Sequence, residues 1–269
     1  MTTIRYLGLA LATSALIGCG GNDTAVTDAA ATLTETQVVP TVRIATESNY
    51  RPFSYINADG AHEGFEIDLI NALCAQMQVT CTISSQDWDS LIPGLQANKY
   101  DAIFASMSAT DERRKVVNFS DPYFNNKLIL VGKKGDTTTI DNIDGKNVAV
   151  QQATVAANYL TNNKPAAVLK VYDKQVNAYL DLAAGRVDYL LSDIAPAADW
   201  LKTEAGAGFE IKGAPIDIDD NVAIAMRQDD TALAQNFNAA LANLKSSGQY
   251  DVLVQKLSLI HISEPTRPL

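Results

Sequence analysis

Tyr100-Asp101-Ala102-Ile103-Phe104-Ala105-Ser106-Met107-Ser108-Ala109-Thr110-Asp111-Glu112-Arg113 is the stretch whose reading decides the fold. Ala102 to Ala105 is a short apolar run of the kind that forms a buried strand, and Thr110 to Val117 follows as a helix. Thr110 or Ser108 can cap that helix, because a side-chain oxygen there accepts a backbone N–H that has no partner inside the helix. Arg113 then falls in the first turn, where a cation opposes the helix dipole. The position makes chemical sense if an anion arrives to meet it, since free N–H groups and a planar guanidinium together receive a carboxylate or phosphate. Taken alone, Arg113-Arg114-Lys115 reads more readily as a solvated helix face. The rest of the chain decides between these readings.

Outward from this turn, strands and helices alternate. Toward the N-terminus, Val42 to Ala45 reads as a strand, Phe65 to Met77 as a helix with Ile67, Ile70, Cys74 and Met77 on one face, Val79 to Ile83 as a strand and Asp89 to Ala97 as a short helix. Toward the C-terminus come strands at Leu128 to Val131, Asn147 to Val150, Leu169 to Tyr172, Val187 to Leu191 and Val222 to Met226. Helices are expected at Val155 to Leu160, Val176 to Ala184 and Thr231 to Lys245. Such alternation implies an α/β fold of parallel sheets with helices on both faces, and a ligand site outside the strand carboxyl ends. With 269 residues and a 47% hydrophobic composition the chain can fill more than one core, so two lobes are expected.

Two further strand ends carry polar groups. Val150 runs into Gln151-Gln152-Ala153-Thr154 and a second helix start, and Leu191 delivers Ser192 and Asp193. Alone, Asp193 reads equally well as a surface or capping aspartate. Together the three turns make an amino-acid receptor: guanidinium and helix N–H groups for the α-carboxylate, Asp193 with Ser106 for the α-ammonium.

The ends and the cysteines speak to compartment. Residues 1–18 combine the basic Arg5 with the apolar run Leu7 to Ile17, a signal peptide too short to span a bilayer permanently. Leu16-Ile17-Gly18-Cys19 resembles a bacterial lipobox, so Cys19 is expected to be the lipidated residue of a lipoprotein, with an ordinary signal peptide and an incidental cysteine as the alternative, and residues 19–40 a tether poor in aromatics. Of the three cysteines, Cys74 and Cys81 remain as a disulfide pair for an oxidising compartment, with two buried free thiols as the alternative. His62 and His261 sit near no cysteine cluster, so no metal site and no cofactor is expected. The formal charge of −10 becomes −11 once Arg5 is removed, which argues against nucleic acid as a partner. No second apolar run of membrane length follows, so contact with the membrane is expected through the lipid anchor only. Residues 257–269 continue no periodicity, end with two prolines and resemble translated sequencing-adapter read-through, a non-native tail.

Several segments then carry a family resemblance over about Val42 to Lys256: Tyr50-Arg51-Pro52-Phe53, Gly64-Phe65-Glu66-Ile67-Asp68-Leu69, Leu91-Ile92-Pro93-Gly94-Leu95, Asp101-Ala102-Ile103, Thr110-Asp111-Glu112-Arg113 and Phe119-Ser120-Asp121-Pro122-Tyr123. In these the chain resembles the periplasmic amino-acid binding proteins of ABC importers (solute-binding protein family 3), especially those for lysine, arginine, ornithine and histidine. The resemblance implies a two-lobed periplasmic binding protein of type II with a central cleft and two crossover strands. Lobe 1 would comprise residues 41–127 and 222–256, and lobe 2 residues 128–221, with hinges near Phe124 to Leu128 and Ile216 to Val222.

Carried over by position, the carboxylate clamp falls on Arg113 with Ser108, and the ammonium site on Asp193 with Ser106. The side-chain slot falls on Tyr50 and Trp88, with Glu47 at the acidic position that meets a basic side chain. The second helix start is expected to contribute Gln152 and the backbone N–H of Val155, where relatives often offer a threonine. Ala105 stands where relatives often carry a serine, and Arg51 is expected to point away from the cleft. The resemblance thus implies a monomeric, lipid-anchored receptor in the periplasm or on the outer face of the cytoplasmic membrane. It would capture a polar or basic L-amino acid and hand it to an inner-membrane ABC permease, with no catalytic residues. Two alternatives stand beside it: a cyclohexadienyl dehydratase acting on prephenate or arogenate with Glu47 as proton donor, and a receptor for glutamine or another polar amino acid.

Overall fold

The protein was analysed as a computed structural model, which describes residues 39–261, with side chains to residue 257. The expected signal peptide, Cys19, most of the tether and residues 262–269 lie outside the described residues. In chain order the elements are β1 (Thr41–Thr46), β2 (Asn49–Tyr50), β3 (Ser54–Ile56), β4 (His62–Glu63), α1 (Phe65–Met77), β5 (Thr80–Ser85), α2 (Leu91–Gln96) and β6 (Ala102–Ile103). Then come α3 (Asp111–Arg114), β7 (Asn118–Phe119), β8 (Phe124–Lys133), β9 (Asn147–Gln151), α4 (Val155–Asn163), β10 (Val168–Tyr172) and α5 (Gln175–Ala183). The chain closes with β11 (Tyr189–Asp193), α6 (Ile194–Trp200), β12 (Phe209–Val222), β13 (Ala225–Met226), α7 (Thr231–Ser246) and α8 (Gln249–His261).

These strands form two five-stranded sheets, ordered β5-β1-β6-β13-β7 and β10-β9-β11-β8-β12, and a small β2-β3-β4 sheet. In the first sheet β5 and β6 run parallel to β1, and in the second β10 and β11 run parallel to β9, as the alternation of strands and helices requires. The sheets are nevertheless mixed and not parallel throughout as expected, because β13 pairs antiparallel with β6 and β7, and β8 with β11 and β12. Successive residues of a strand point to opposite faces, and here each face meets its own apolar core. Ile44, Ala102, Phe104 and Ile224 pack into one core of the first sheet, while Ala45, Ile103, Ala105 and Ala223 pack into the other. The second sheet divides likewise, with Leu128, Leu130, Val148 and Val150 on one side and Ile129, Val131, Ala149 and Leu190 on the other. Both sheets are therefore covered on both faces, and their strand ends are what remains for a ligand.

The two crossing segments form one antiparallel ladder. Phe124 pairs with Val222, Asn125 with Asn221, Asn126 with Asp220 and Leu128 with Ile216. Cys74 on α1 and Cys81 on β5 bring their sulfurs to bonding distance, with Cα atoms 6.1 Å apart.

Two further expectations, both about element ends, change. The helix expected from Thr110 to Val117 ends at Arg114, because Val117 turns into a core beside Phe119 and the Gln228 amide donates to the Lys115 carbonyl at 2.8 Å. Leu257 does not open a detached tail: α8 runs through it to His261, and its side chain is buried with Phe237, Leu241 and Leu244 of α7. Tyr250, Leu253, Val254 and Leu257 stand at i, i+3, i+4 and i+7, so they form one apolar face of α8 that packs into the core shared with α1 and α7.

Candidate functional site

Arg113 is positioned by its own helix start. Thr110 caps α3 by accepting the Arg113 N–H, and the guanidinium reaches back to donate from Nη1 to the Ser108 carbonyl at 2.8 Å. Nη2 donates at 2.8 Å to the carbonyl of Ala153, in the turn between β9 and α4, so one side chain ties turns of both large sheets together. A guanidinium has five N–H donors, and three remain for a ligand. Its carbon lies 5.1 Å from the centroid of the Trp88 ring, within cation–π range. Burial lowers the Arg113 pKa, opposed by the charges of Asp220 and Asp193.

Across from it, α4 presents its first N–H groups. Thr154 caps the helix by accepting the Ala157 N–H, and the Thr154 carbonyl accepts that of Asn158. The N–H groups of Val155 and Ala156 have no partner within the helix, as at any helix start, and both residues line the same cavity as Arg113.

Asp193 ends β11. Its Oδ2 accepts the Tyr50 phenol and its Oδ1 accepts the Asn126 amide at 2.8 Å; the same amide nitrogen donates to Asp220 at 2.8 Å. Desolvation pushes Asp193 up to about 6, with Asp220 adding to the rise and the Tyr50 and Asn126 bonds opposing it. Glu47 follows β1, is 5% exposed, and accepts the Gln151 amide at 2.9 Å. Desolvation pushes it up to about 7, with the Gln151 bond opposing the rise.

One cavity between the facing strand ends collects these groups. Glu47, Tyr50, Trp88, Ser106, Ser108, Arg113, Val155 and Asp193 all line it. Gln152 does not: its amide donates to Asp89 at 3.1 Å outside the cavity, and Gln151 takes the inward place. Adjacent residues at a strand end face opposite ways, so the choice between the two glutamines depended on the strand's register. Gln175 and Ser192 also line the cavity and hydrogen-bond each other at 3.0 Å. Gln175, at the start of α5, carried no signal in the sequence. Arg51 faces away, 3.6 Å from Asp199 and stacked on Tyr55. Among the described residues no group of histidine, cysteine or acidic side chains could hold a metal ion.

Two lobes with covered sheets, a polar cavity at the facing strand ends and a paired crossing ladder are the periplasmic binding protein fold of type II. The chain belongs to the bacterial extracellular solute-binding proteins, family 3, whose model matches residues 42–258. It is 39% identical over 225 residues to the lysine/arginine/ornithine-binding periplasmic protein of Escherichia coli (strain K12), covering 80% of this chain and 86% of that protein. A Salmonella typhimurium periplasmic binding protein of high arginine specificity superposes with a TM-score of 0.77 at 34% identity, covering 81% of this chain and 99% of that one. An ancestral arginine-binding protein solved with glutamine gives a TM-score of 0.77 at 33% identity, covering 82% of this chain and 98% of that one. These relatives are binding proteins, in line with a receptor and not with the dehydratase alternative.

Proposed function

We propose that the protein captures a basic L-amino acid, arginine foremost, and delivers it to an ABC importer. One observation carries this reading: the charged groups lining the cavity are Arg113, Asp193 and Glu47. Arg113 answers an α-carboxylate and Asp193 an α-ammonium, which leaves Glu47 to answer a cationic side chain. A net negative lining suits a ligand of net charge +1, the charge of arginine, lysine or ornithine. Tyr50 and Trp88 add aromatic faces on which a guanidinium or an alkyl ammonium stacks. Relatives named for arginine, lysine and ornithine support the same choice.

A second reading, a receptor for glutamine, is favoured by the rise of Glu47 to about 7. A carboxyl that is neutral part of the time can hydrogen-bond an amide, and an arginine-binding relative has been solved with glutamine. Calorimetry of the purified protein with arginine, lysine, ornithine, histidine and glutamine separates the two. Tighter binding of glutamine than of any basic amino acid overturns the first reading.

The setting follows from the same reading. The mature protein is a monomer in the periplasm or on the outer face of the cytoplasmic membrane, cleaved after residue 18, lipidated at Cys19 and bridged between Cys74 and Cys81. Its partner is an inner-membrane ABC permease. Lobe 1 comprises residues 41–127 and 222–261, lobe 2 residues 128–221, and the ladder between Phe124 and Val222 bends when they close.

A further inference from the structure

Glu66 is the second residue of α1, is fully buried, and lines no part of the cavity. Its Oε1 accepts three donors: the Ser106 N–H at 2.6 Å, the Ser106 Oγ–H at 3.0 Å and the phenol of Tyr123. Its Oε2 is buried without a partner. Ser106 itself is 7% exposed, lies in the turn after β6 and holds a left-handed φ of 49°, a conformation unfavourable to a side chain other than glycine. Two bonds from a single carboxylate hold it there.

The consequence concerns hydrogen-bond polarity. A serine hydroxyl has one donor and two acceptor directions. With its proton engaged by Glu66, Ser106 Oγ can offer the cavity lone pairs only. Such an oxygen receives an ammonium and rejects a carboxylate oxygen, which has no proton to give. We propose that Glu66 is a positioning residue of the amino-acid site, taking both Ser106 donors so that Ser106 Oγ faces the ligand as an acceptor for its α-ammonium. The proposal rests on the amino-acid reading above and names what sets the ligand's orientation. The Glu66 position at the start of a thirteen-residue helix supports it, because the helix dipole steadies a carboxylate there.

The test is calorimetry of wild type, Glu66→Leu, Glu66→Gln, Ser106→Ala and the Glu66→Leu/Ser106→Ala double variant. The ligands are L-arginine and 5-guanidinopentanoic acid, which is arginine without its α-ammonium. Glu66→Leu and Ser106→Ala are each expected to weaken L-arginine by about tenfold or more, while the deaminated analogue changes by less than about threefold. The double variant should be no weaker than the worse single variant, because the two side chains act as one unit. Glu66→Gln keeps an acceptor for Ser106 and should recover most of the discrimination. Equal losses for both ligands, or additive losses in the double variant, overturn the proposal. If Glu66→Leu does not fold, the two ligands with Ser106→Ala and Glu66→Gln decide it. If the analogue binds no variant, the double-variant comparison on L-arginine decides it. Failure of wild type to bind any amino acid would instead overturn the functional reading.

Discussion

The amide of Gln151, the last residue of β9, donates to the Glu47 carboxylate at 2.9 Å across 104 positions of sequence. The bond joins the end of the second sheet to the end of β1 in the first, and it fixes the carboxylate proposed to meet the ligand's side chain. Gln151 thereby holds Glu47 with a neutral donor, opposing but not cancelling the rise that burial imposes on the carboxyl.

Specificity should therefore fall on Glu47. Glu47→Gln is expected to weaken arginine, lysine and ornithine more than glutamine, narrowing or reversing the preference. A desolvated carboxylate discriminates against a neutral side chain as strongly as it attracts a charged one. Calorimetric titrations with arginine and glutamine measure it, and equal losses would assign Glu47 a purely structural role.

Arg113→Ala and Asp193→Asn should act differently, weakening all amino acids by similar factors. Each removes one partner of a buried charge pair with the ligand, a loss of about 2 to 5 kcal/mol. The ranking of ligands by calorimetry should stay as in wild type. An Arg113→Ala protein that binds arginine normally would contradict the proposed orientation.

The pH dependence follows from Glu47 at about 7 and Asp193 at about 6, both raised by burial. In the empty protein these groups hold protons that an unfolded chain releases lower on the pH scale. The native state thus binds more protons than the unfolded state between roughly pH 4 and 7, and stability falls as pH rises through that window. Replacing Glu47 by glutamine should raise the melting temperature of the ligand-free protein at pH 8 and leave it nearly unchanged at pH 4. The shift from 4.5 to about 7 corresponds to roughly 3 kcal/mol. Arginine affinity should meanwhile rise with pH, because a bound cation favours the ionised carboxylate; a flat profile between pH 5.5 and 8 would argue against Glu47 meeting the cation.

Cys74 and Cys81 should be recovered as one linked peptide when protein from an oxidising compartment is digested without reduction. Closing so short a loop contributes about 2 to 3 kcal/mol in the chain-entropy model, so reduction should lower the melting temperature. Two free thiols in that digest would reject the bridge.

The C-terminal boundary is testable by truncation. A chain ending at His261 should bind and melt as the full chain does, whereas one ending at Lys256 should melt lower. Leu257 is 4% exposed within the core of α1, α7 and α8, and Leu257→Ala should cost about 2 to 5 kcal/mol. Equal melting temperatures for the two truncations would show that α8 contributes nothing beyond Lys256.

By itself the amino-acid sequence determined the α/β alternation, a helix start capped by Thr110 or Ser108, the place of Arg113 in its turn, and the strand ends at Glu47 and Asp193. Each depends on local information: periodicity, a capping side chain, or a polar residue directly after an apolar run. Only the tertiary structure decided which of two adjacent glutamines faces the cavity, since one step along a strand reverses the side chain. It alone joined Glu66 to Ser106 across 40 positions and Asn126 to Asp220 across 94. It also placed Leu257 in the core. Those pairings depend on which sheet edge meets which helix, and a buried donor or acceptor reveals its partner only when packing has excluded water from both.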